Sequence, residues 1–243
     1  MEINKYHSNL DSIRFGYKIA KVNYFDKNIL NIIFKLKNEN YKLIISRVDA
    51  AKIELINQLE EQGFLIKDIQ TTYKLKLTEI IEYNIINNVQ IREAHMNDKE
   101  KLCQIAAISF ENYGHYAADK NLDISKCKEI YSDWVSHTFD KNNADIIFIA
   151  EVDGEIAGFL SHKLHINKDE IKYAAGVIGA IDIKFRNLNI FKAITIAGIQ
   201  WSIENNCRWV EHNVLITNQA VMRSFIKLGF KPANSEITFH KWL

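Results

Sequence analysis

Imidazole is the side chain whose unperturbed pKa best suits proton transfer near neutral pH, and general-base help is typically worth ~10² to 10⁴ in rate. Among the chain's eight histidines, three carry that expectation: His115, His162 and His212. His115 sits in a polar loop with Tyr113, Tyr116 and Asp119, where a substrate could reach it. His162 alternates in phase with Leu160 and Leu164, and His212 with Val210 and Val214, so each shares a face with apolar neighbours; a hydrogen-bonded core histidine is the competing reading for both. No Cys/His spacing resembles a zinc site, and no metal is expected. Cys103, Cys127 and Cys207 are odd in number, widely spaced and in segments that read as helical or near a helix end, which suits reduced thiols acting as small buried hydrophobes.

The elements that must position these groups belong to a globular protein. At 243 residues and 47% hydrophobic content the chain can bury a sizeable core. Its 31 basic and 30 acidic residues leave a formal charge of +1, so neither a phosphate-tracking stripe nor a polybasic membrane anchor is expected, and nucleic acid and membrane are poor partners. The longest apolar runs, Asn28 to Leu36 and Ala144 to Val152, fall far short of the ~20 residues a membrane helix needs. The opening MEINKYHSNLDSIRFG is too polar for a signal peptide, and the expected compartment is the cytoplasm.

By period and punctuation the first part reads strand (Phe15 to Val22), helix (Asn28 to Lys37), strand (Tyr41 to Val48), helix (Ala50 to Gln62) and strand (Leu65 to Leu77), a small α/β unit. The pattern loses its phase between Thr78 and Val89, which places a boundary between a domain of residues 1–85 and one of residues 86–243. The second part reads strand from Val89, helix (Asp98 to Glu111), helix (Ser125 to Phe139), strand (Ile146 to Val152), an Asp153-Gly154 turn, strand (Glu155 to Ile166), strand (Ile171 to Ile183), helix (Ile190 to Asn205), strand (Trp209 to Leu215), helix (Asn218 to Leu228) and strand (Ile237 to Leu243). LEEQGF (Leu59 to Phe64) echoes FIKLGF (Phe225 to Phe230); both a degenerate repeat of one half-fold and two similar glycine helix caps account for it.

Two motifs sharpen the reading. Arg186-Asn187-Leu188-Asn189-Ile190-Phe191 stands between a strand and the long helix, and Asn218-x-x-Val221-x-x-x-Phe225-x-x-x-Gly229-Phe230 spans the last helix. With the element order from Val89 onward, these resemble the GNAT acyltransferase superfamily. The resemblance implies an α/β (α+β) GNAT fold: a mixed, mostly antiparallel sheet flanked by helices, here preceded by the smaller α/β N-terminal domain. In that family the first motif reads Arg/Gln-x-x-Gly-x-Gly/Ala and cradles the coenzyme A pyrophosphate on backbone NH groups at a helix N-terminus. Here both glycine positions are lost, to Asn189, which tolerates the left-handed region, and to Phe191, whose ring must turn aside. An ordinary strand-to-helix turn with a solvated Arg186 is the alternative.

The family's second motif is Asn-x-x-Ala-x-x-x-Tyr-x-x-x-Gly-Phe. The resemblance gives Asn218 the pantetheine contact, which can coexist with a plain helix N-cap. It denies Phe225 the tyrosine's role of protonating the departing thiolate. A splay beside Ile181 and Ile183 in the preceding strand would free backbone NH groups to polarise the thioester carbonyl, each worth roughly 3 kcal/mol. Asp182 matches a position that the family often turns away from the reaction.

A third set, Leu10-Asp11-Ser12-x-x-Phe15-Gly16, Phe110-x-x-x-x-His115-Tyr116-Ala117-x-Asp119, Tyr131-x-x-Trp134 and Phe239-His240-x-Trp242, resembles the two-domain GNAT enzymes that acylate dTDP-linked amino-dideoxy sugars. This resemblance implies direct transfer from an acyl-coenzyme A (acetyl, or longer such as 3-hydroxybutyryl) to a sugar amine for surface polysaccharide synthesis, with no metal and a homodimeric enzyme. Tyr113, Tyr116, Tyr131 and Trp134 would receive the sugar nucleotide, Asp119 its hydroxyl or amine, and His115 would be the acid/base. A mobile surface loop is the alternative for the His115 segment. Two other functions stay open: acylation of a peptide, lysine or polyamine, and a decayed, non-catalytic acyl-coenzyme A-binding protein.

Overall fold

The computed structural model describes residues 3–23, 29–77, 88–140 and 143–243. The architecture is mixed α/β, with nine strands among the described residues. The chain forms two compact units interleaved in sequence. The first comprises the described residues up to Thr71 with Asn112–Cys127 and Asn234–Leu243, and the second comprises the described residues of Thr72–Glu111 and Lys128–Ala233. The expected division between residues 85 and 86 lies outside the described residues.

In the first unit, α1 (Asn9–Phe15) stops where Gly16 takes a left-handed φ of 80° and its NH closes onto Ser12 O. The expected strand from Phe15 is therefore corrected: the segment opens as a helix, and only Ile19–Lys21 (β1) is extended. Helix α2 (Ile29–Asn38) sets Ile29, Ile32 and Leu36 on one buried face at helical spacing. Strand β2 (Leu43–Asp49) pairs parallel with β1 (Ile19↔Leu43) and antiparallel with the chain's last strand, β9 (Lys231–Trp242), from Leu43↔Trp242 to Asp49↔Glu236. Helix α3 (Ile53–Glu61) leads into β3 (Leu65–Lys76), whose residues to Thr71 belong here. Leu36, Ile44, Leu59, Phe64 and Phe239 are fully buried in this unit's core. The expected last strand began at Ile237, but β9 starts at Lys231 and carries Pro232 within it.

In the second unit, β4 (Gln90–Glu93), β5 (Ile146–Val152), β6 (Glu155–Ile166) and β7 (Lys172–Ile181) pair antiparallel in sequence order, and β8 (Trp209–Leu215) lies parallel to β7. The β5–β6 hairpin turns on Asp153 and Gly154, both at positive φ (51° and 81°) as a two-residue turn of this hand requires. Helices α4 (Lys99–Ser109) and α6 (Ile124–Thr138, from Lys128 in this unit), α7 (Ile190–Glu204) and α8 (Gln219–Lys227) complete it, while the short α5 (Gly114–Ala117) belongs to the first unit. One cluster of the core gathers Leu160, Ile190 and Ile194; another gathers Val210, Phe225 and Phe230.

Candidate active site

Strands β7 and β8 of the second unit part early. Their pairing covers only Ala174↔Val210 and Ala175↔Glu211. Just beyond, β7 carries an extra residue against β6, since Gly176 faces His162 while Gly179 faces Leu160. Such a bulge bends a strand and increases its twist. Ser161 stabilises it from β6: its Oγ donates to Ile178 O (3.0 Å) and accepts from Ile178 N (3.2 Å). The Ile178 and Asp182 amides thus point to β6, and by alternation those of Gly179 and Ile181 point the other way, where β8 no longer pairs. Among the described residues no strand pairs with β7 on that side beyond Ala175, so the Gly179 and Ile181 amides face a gap between β7 and β8.

At the far end of that strand Asp182 is engaged, accepting from Lys101 Nζ (3.0 Å) and Lys184 N (3.2 Å). Burial raises its carboxyl, but Lys101 and the Lys184 amide outweigh that and hold it below the usual range. Ile183 lies exposed in the 3-10 turn Ile183–Phe185. Arg186, Asn187, Leu188 and Asn189 follow as an exposed loop, with Asn187 and Asn189 both left-handed (φ 67° and 59°). Asparagine is the non-glycine residue best suited to that region. Asn189 ends at the N-terminus of α7, where the first helical amides point outward beside a positive helix dipole, an anion-binding arrangement. Ile190 is buried, and the Phe191 ring turns onto Phe225 (5.5 Å, edge-on), away from that N-terminus and into the core. Asn218 caps α8, its Oδ1 accepting from Val221 N (3.3 Å).

Phe225 is itself core, stacked on His212 (4.9 Å) and packed by Tyr73 and Phe230. His212 and His162 sit edge to face at 5.2 Å, inside a shell of Phe148, Trp201, Phe225 and Phe230. The expectation of a hydrogen-bonded His162 is corrected, because neither of its nitrogens has a partner among the described residues, nor has His212 Nε2. Burial lowers His162 to about 4 and, with His162 as a lesser cause, pushes His212 well below 6.5. Two glycines make room for the rings: a Cβ at Gly176 would come within 2.0 Å of His212 Nδ1, and one at Gly198 within 2.2 Å of His162 Cε1. His162 has no surface through which to meet a substrate.

The third histidine belongs to the first unit and is not in an open loop. His115 lies in α5, and its ring is buried against Tyr116. His115 Nδ1 is 2.8 Å from His240 Nε2, and His240 Nδ1 donates to Asp119 Oδ2 at 2.6 Å. Trp242 Nε1 donates to the same oxygen (3.1 Å), while the Asn121 amide and Lys67 Nζ reach Oδ1 (3.2 and 3.5 Å). Burial raises the Asp119 carboxyl, but the hydrogen bonds from His240, Asn121 and Trp242 prevail and keep it ionised well below the usual range. The expected substrate contact of Asp119 is thus corrected: both oxygens are spent inside the protein.

A second carboxylate, Asp11, accepts from Tyr116 OH (2.9 Å), Ser8 Oγ (2.7 Å) and Lys21 Nζ (2.6 Å). Tyr116 is therefore a buried strut rather than an open stacking surface, and Tyr113 is half-buried beside it in sequence. In the second unit Tyr131 is buried under Phe110 (4.7 Å), while Trp134, stacked on Tyr131 at 6.2 Å, is half-exposed and can meet a ligand.

Reading by local spacing assigned no role to Asp11, Lys67, His240, Trp242, Gly176 or Gly198. The first and fourth fragments of the sugar-enzyme resemblance did contain Asp11, His240 and Trp242, and that was the usable signal.

No family model matches the sequence, and no curated protein is significantly similar to it. Solved structures do match. A GCN5-related N-acetyltransferase from Sphaerobacter thermophilus shares 10% identity, with 94% of this chain and 74% of that one covered at a TM-score of 0.63. A GCN5-related N-acetyltransferase from Kribbella flavida shares 14%, covering 92% and 81% at 0.62. A tandem GNAT protein from the clavulanic acid biosynthesis pathway shares 11%, covering 92% and 75% at 0.61. The fold is that of the GNAT N-acetyltransferases.

Proposed function

We propose that this chain is an acyl-coenzyme A-dependent N-acyltransferase that works by direct transfer, with the amine of a nucleotide-linked amino-dideoxy sugar as acceptor. The observation that carries the reading is the bulge-and-gap of β7: pairing with β8 ends at Ala175↔Glu211, and beyond it no strand among the described residues pairs on the side that the Gly179 and Ile181 amides face. A thioester carbonyl laid there would meet fixed donors as negative charge develops on its oxygen, the interaction that contributes most in acyl transfer. The left-handed Asn187 and Asn189 and the open N-terminus of α7 suit the pyrophosphate, and Asn218 suits the pantetheine amides. Phe225 gives no proton, so the departing thiolate takes its proton from the nitrogen that attacked.

The sugar acceptor is supported by the fragments that resemble the dTDP-sugar enzymes. Asp11, His115, Tyr116, Asp119, His240 and Trp242, far apart in sequence, take part in two buried hydrogen-bond networks of one unit, joined through the adjacent His115 and Tyr116. His115 is the acid/base in this reading, and a homodimer is part of it.

The test is a thiol-release assay that crosses acyl-coenzyme A donors with dTDP-linked 3-amino and 4-amino dideoxy sugars, peptides and polyamines. Turnover confined to one sugar is the expected result. Turnover only on a peptide or polyamine moves the acceptor, and silence without coenzyme A binding supports a decayed protein, the reading favoured by the buried Phe225. Cys207→Ala should leave turnover intact, because burial raises that thiol and direct transfer forms no acyl-cysteine. A dead Cys207 variant that still folds would refute direct transfer.

A further inference from the structure

Buried polar atoms almost always find a hydrogen-bond partner, and a cluster that lacks them marks a place where something else can supply one. In the second unit the His162–His212 pair has three such atoms: both nitrogens of His162 and Nε2 of His212 are sealed without a partner among the described residues. His212 Nδ1 differs. It too has no hydrogen-bond partner among the described residues, but it is not sealed, and its residue keeps 5% of its surface exposed.

That atom stands at the root of the β7–β8 gap. Glu211 is the last β8 residue to pair with β7, and His212 is the next. The ring lies over Gly176, which follows Ala175 on β7 and whose missing Cβ would sit 2.0 Å from Nδ1. Phe225 stacks on the ring (4.9 Å) and His162 meets it edge-on (5.2 Å), so its plane is fixed. Burial, with His162 as the lesser cause, pushes it well below 6.5, and the neutral ring carries one N–H and one lone pair.

We propose that His212 is a catalytic residue of the acyl transfer, its Nδ1–H donating a hydrogen bond to the thioester sulfur as that sulfur departs as a thiolate. The inference rests on the acyl-transfer reading above. The sealed Nε2 offers the ring's single proton no acceptor, whereas a thiolate beside Nδ1 does, and the sulfur thereby selects the Nδ1–H tautomer. In register with β6, Gly179 stands two residues beyond Gly176, roughly 7 Å along the sheet. A carbonyl oxygen on the Gly179 amide leaves room for the adjoining sulfur on the stretch between that amide and Nδ1. The amine lone pair forms the C–N bond as the C–S bond breaks. Nδ1–H meets the charge left on sulfur without giving up its proton, and the thiolate is then protonated by the nitrogen that attacked. His212 begins and ends neutral. The apolar shell that leaves Nε2 unpaired also strengthens the donation, because a hydrogen bond to a charge is strongest where water is excluded.

The experiment reads the bound thiol before it reads turnover. Titrated by the ultraviolet absorbance of its thiolate, coenzyme A bound to the protein should ionise about one to two pH units lower in the wild type than in His212→Leu, the shift that a charge-assisted hydrogen bond provides. In ¹⁵N-histidine NMR of the wild type, with the bound thiol ionised, coenzyme A but not desulfo-coenzyme A should move His212 to the Nδ1–H form. His212→Leu should lower kcat by ~10- to 10²-fold, while His162→Leu keeps both kcat and the thiol ionisation of the wild type. Coenzyme A that binds and turns over with the same thiol ionisation in wild type and His212→Leu overturns the role of His212 alone, as does a His162→Leu protein that loses as much. A protein that neither binds coenzyme A nor releases thiol with any amine overturns the acyltransferase reading and this role with it. Should His212→Leu fail to fold, the wild-type comparison of coenzyme A with its desulfo analogue decides the matter: a His212 signal indifferent to the sulfur rejects the contact.

Discussion

His162 should make this protein acid-sensitive in a calculable way. Its ring is wholly buried, both nitrogens lack partners among the described residues, and burial holds its pKa at about 4. In the unfolded chain the same group titrates near ~6.5. Between those two values the unfolded state takes up a proton that the folded ring refuses. Stability is therefore complete above pH 6.5 and falls as the pH drops through the window to about 4. At ~1.4 kcal/mol for each pH unit the loss is about 3 kcal/mol, a large share of the ~5–15 kcal/mol that holds a domain together. His162→Leu removes the titration and both orphaned nitrogens while keeping the site apolar. Urea unfolding of the wild type and the variant, followed by tryptophan fluorescence from pH 7.5 to pH 4, should show the gap between them changing by about 3 kcal/mol in favour of the variant. Curves that fall in parallel, with a constant gap, would refute the argument. His212 is depressed in the same direction by the same cause, so a second variant, His212→Leu, should add to the effect.

Two further substitutions test the packing and the donor site. Gly198→Ala gains about 1 kcal/mol of helix propensity but drives a methyl to within 2.2 Å of His162 Cε1; with overpacking at ~1–3 kcal/mol, we expect a net loss of up to about 2 kcal/mol in denaturant midpoint analysis, recovered in the double variant with His162→Ala. Asn218→Ala removes the α8 cap and should cost about 1 kcal/mol, together with a raised apparent KM for the acyl-coenzyme A; an unchanged KM would displace the pantetheine from this residue.

Much of the second unit could be read directly from the chain, because its elements announce themselves locally. The Asp153-Gly154 hairpin, the alternation of β6 and the Asn218 start of α8 depend on neighbours within a few residues. The echo of LEEQGF and FIKLGF is also local: Phe64 N bonds Leu59 O as Phe230 N bonds Phe225 O, each after a left-handed glycine. The phase of His162 with Leu160 and Leu164 correctly signalled burial, yet nothing in that phase said that its ring would be left without a hydrogen bond. Helix α1 was missed because the apolar Phe15, which ends it, also opens a plausible strand pattern. The hydrogen-bonded chain from His115 through His240 to Asp119 was beyond local reasoning, since its pairs lie 125 and 121 residues apart in the chain and meet only when the first unit closes. A loop that looks polar by composition is then a buried corner.

The insertion of β9 against β2 has a consequence for the newborn chain. Residues 234–243 complete a unit whose residues up to Thr71 are made earlier. On a ribosome adding ~5–20 residues per second, roughly 160 residues separate those events, so β2 waits ~10–30 s with its hydrogen-bonding edge open. An unpaired strand rich in isoleucine and valine is an invitation to intermolecular pairing. During synthesis this protein should therefore be a client for chaperones that shield such edges, and the second unit, whose strands pair largely with their sequence neighbours, should be the first to become protease-resistant.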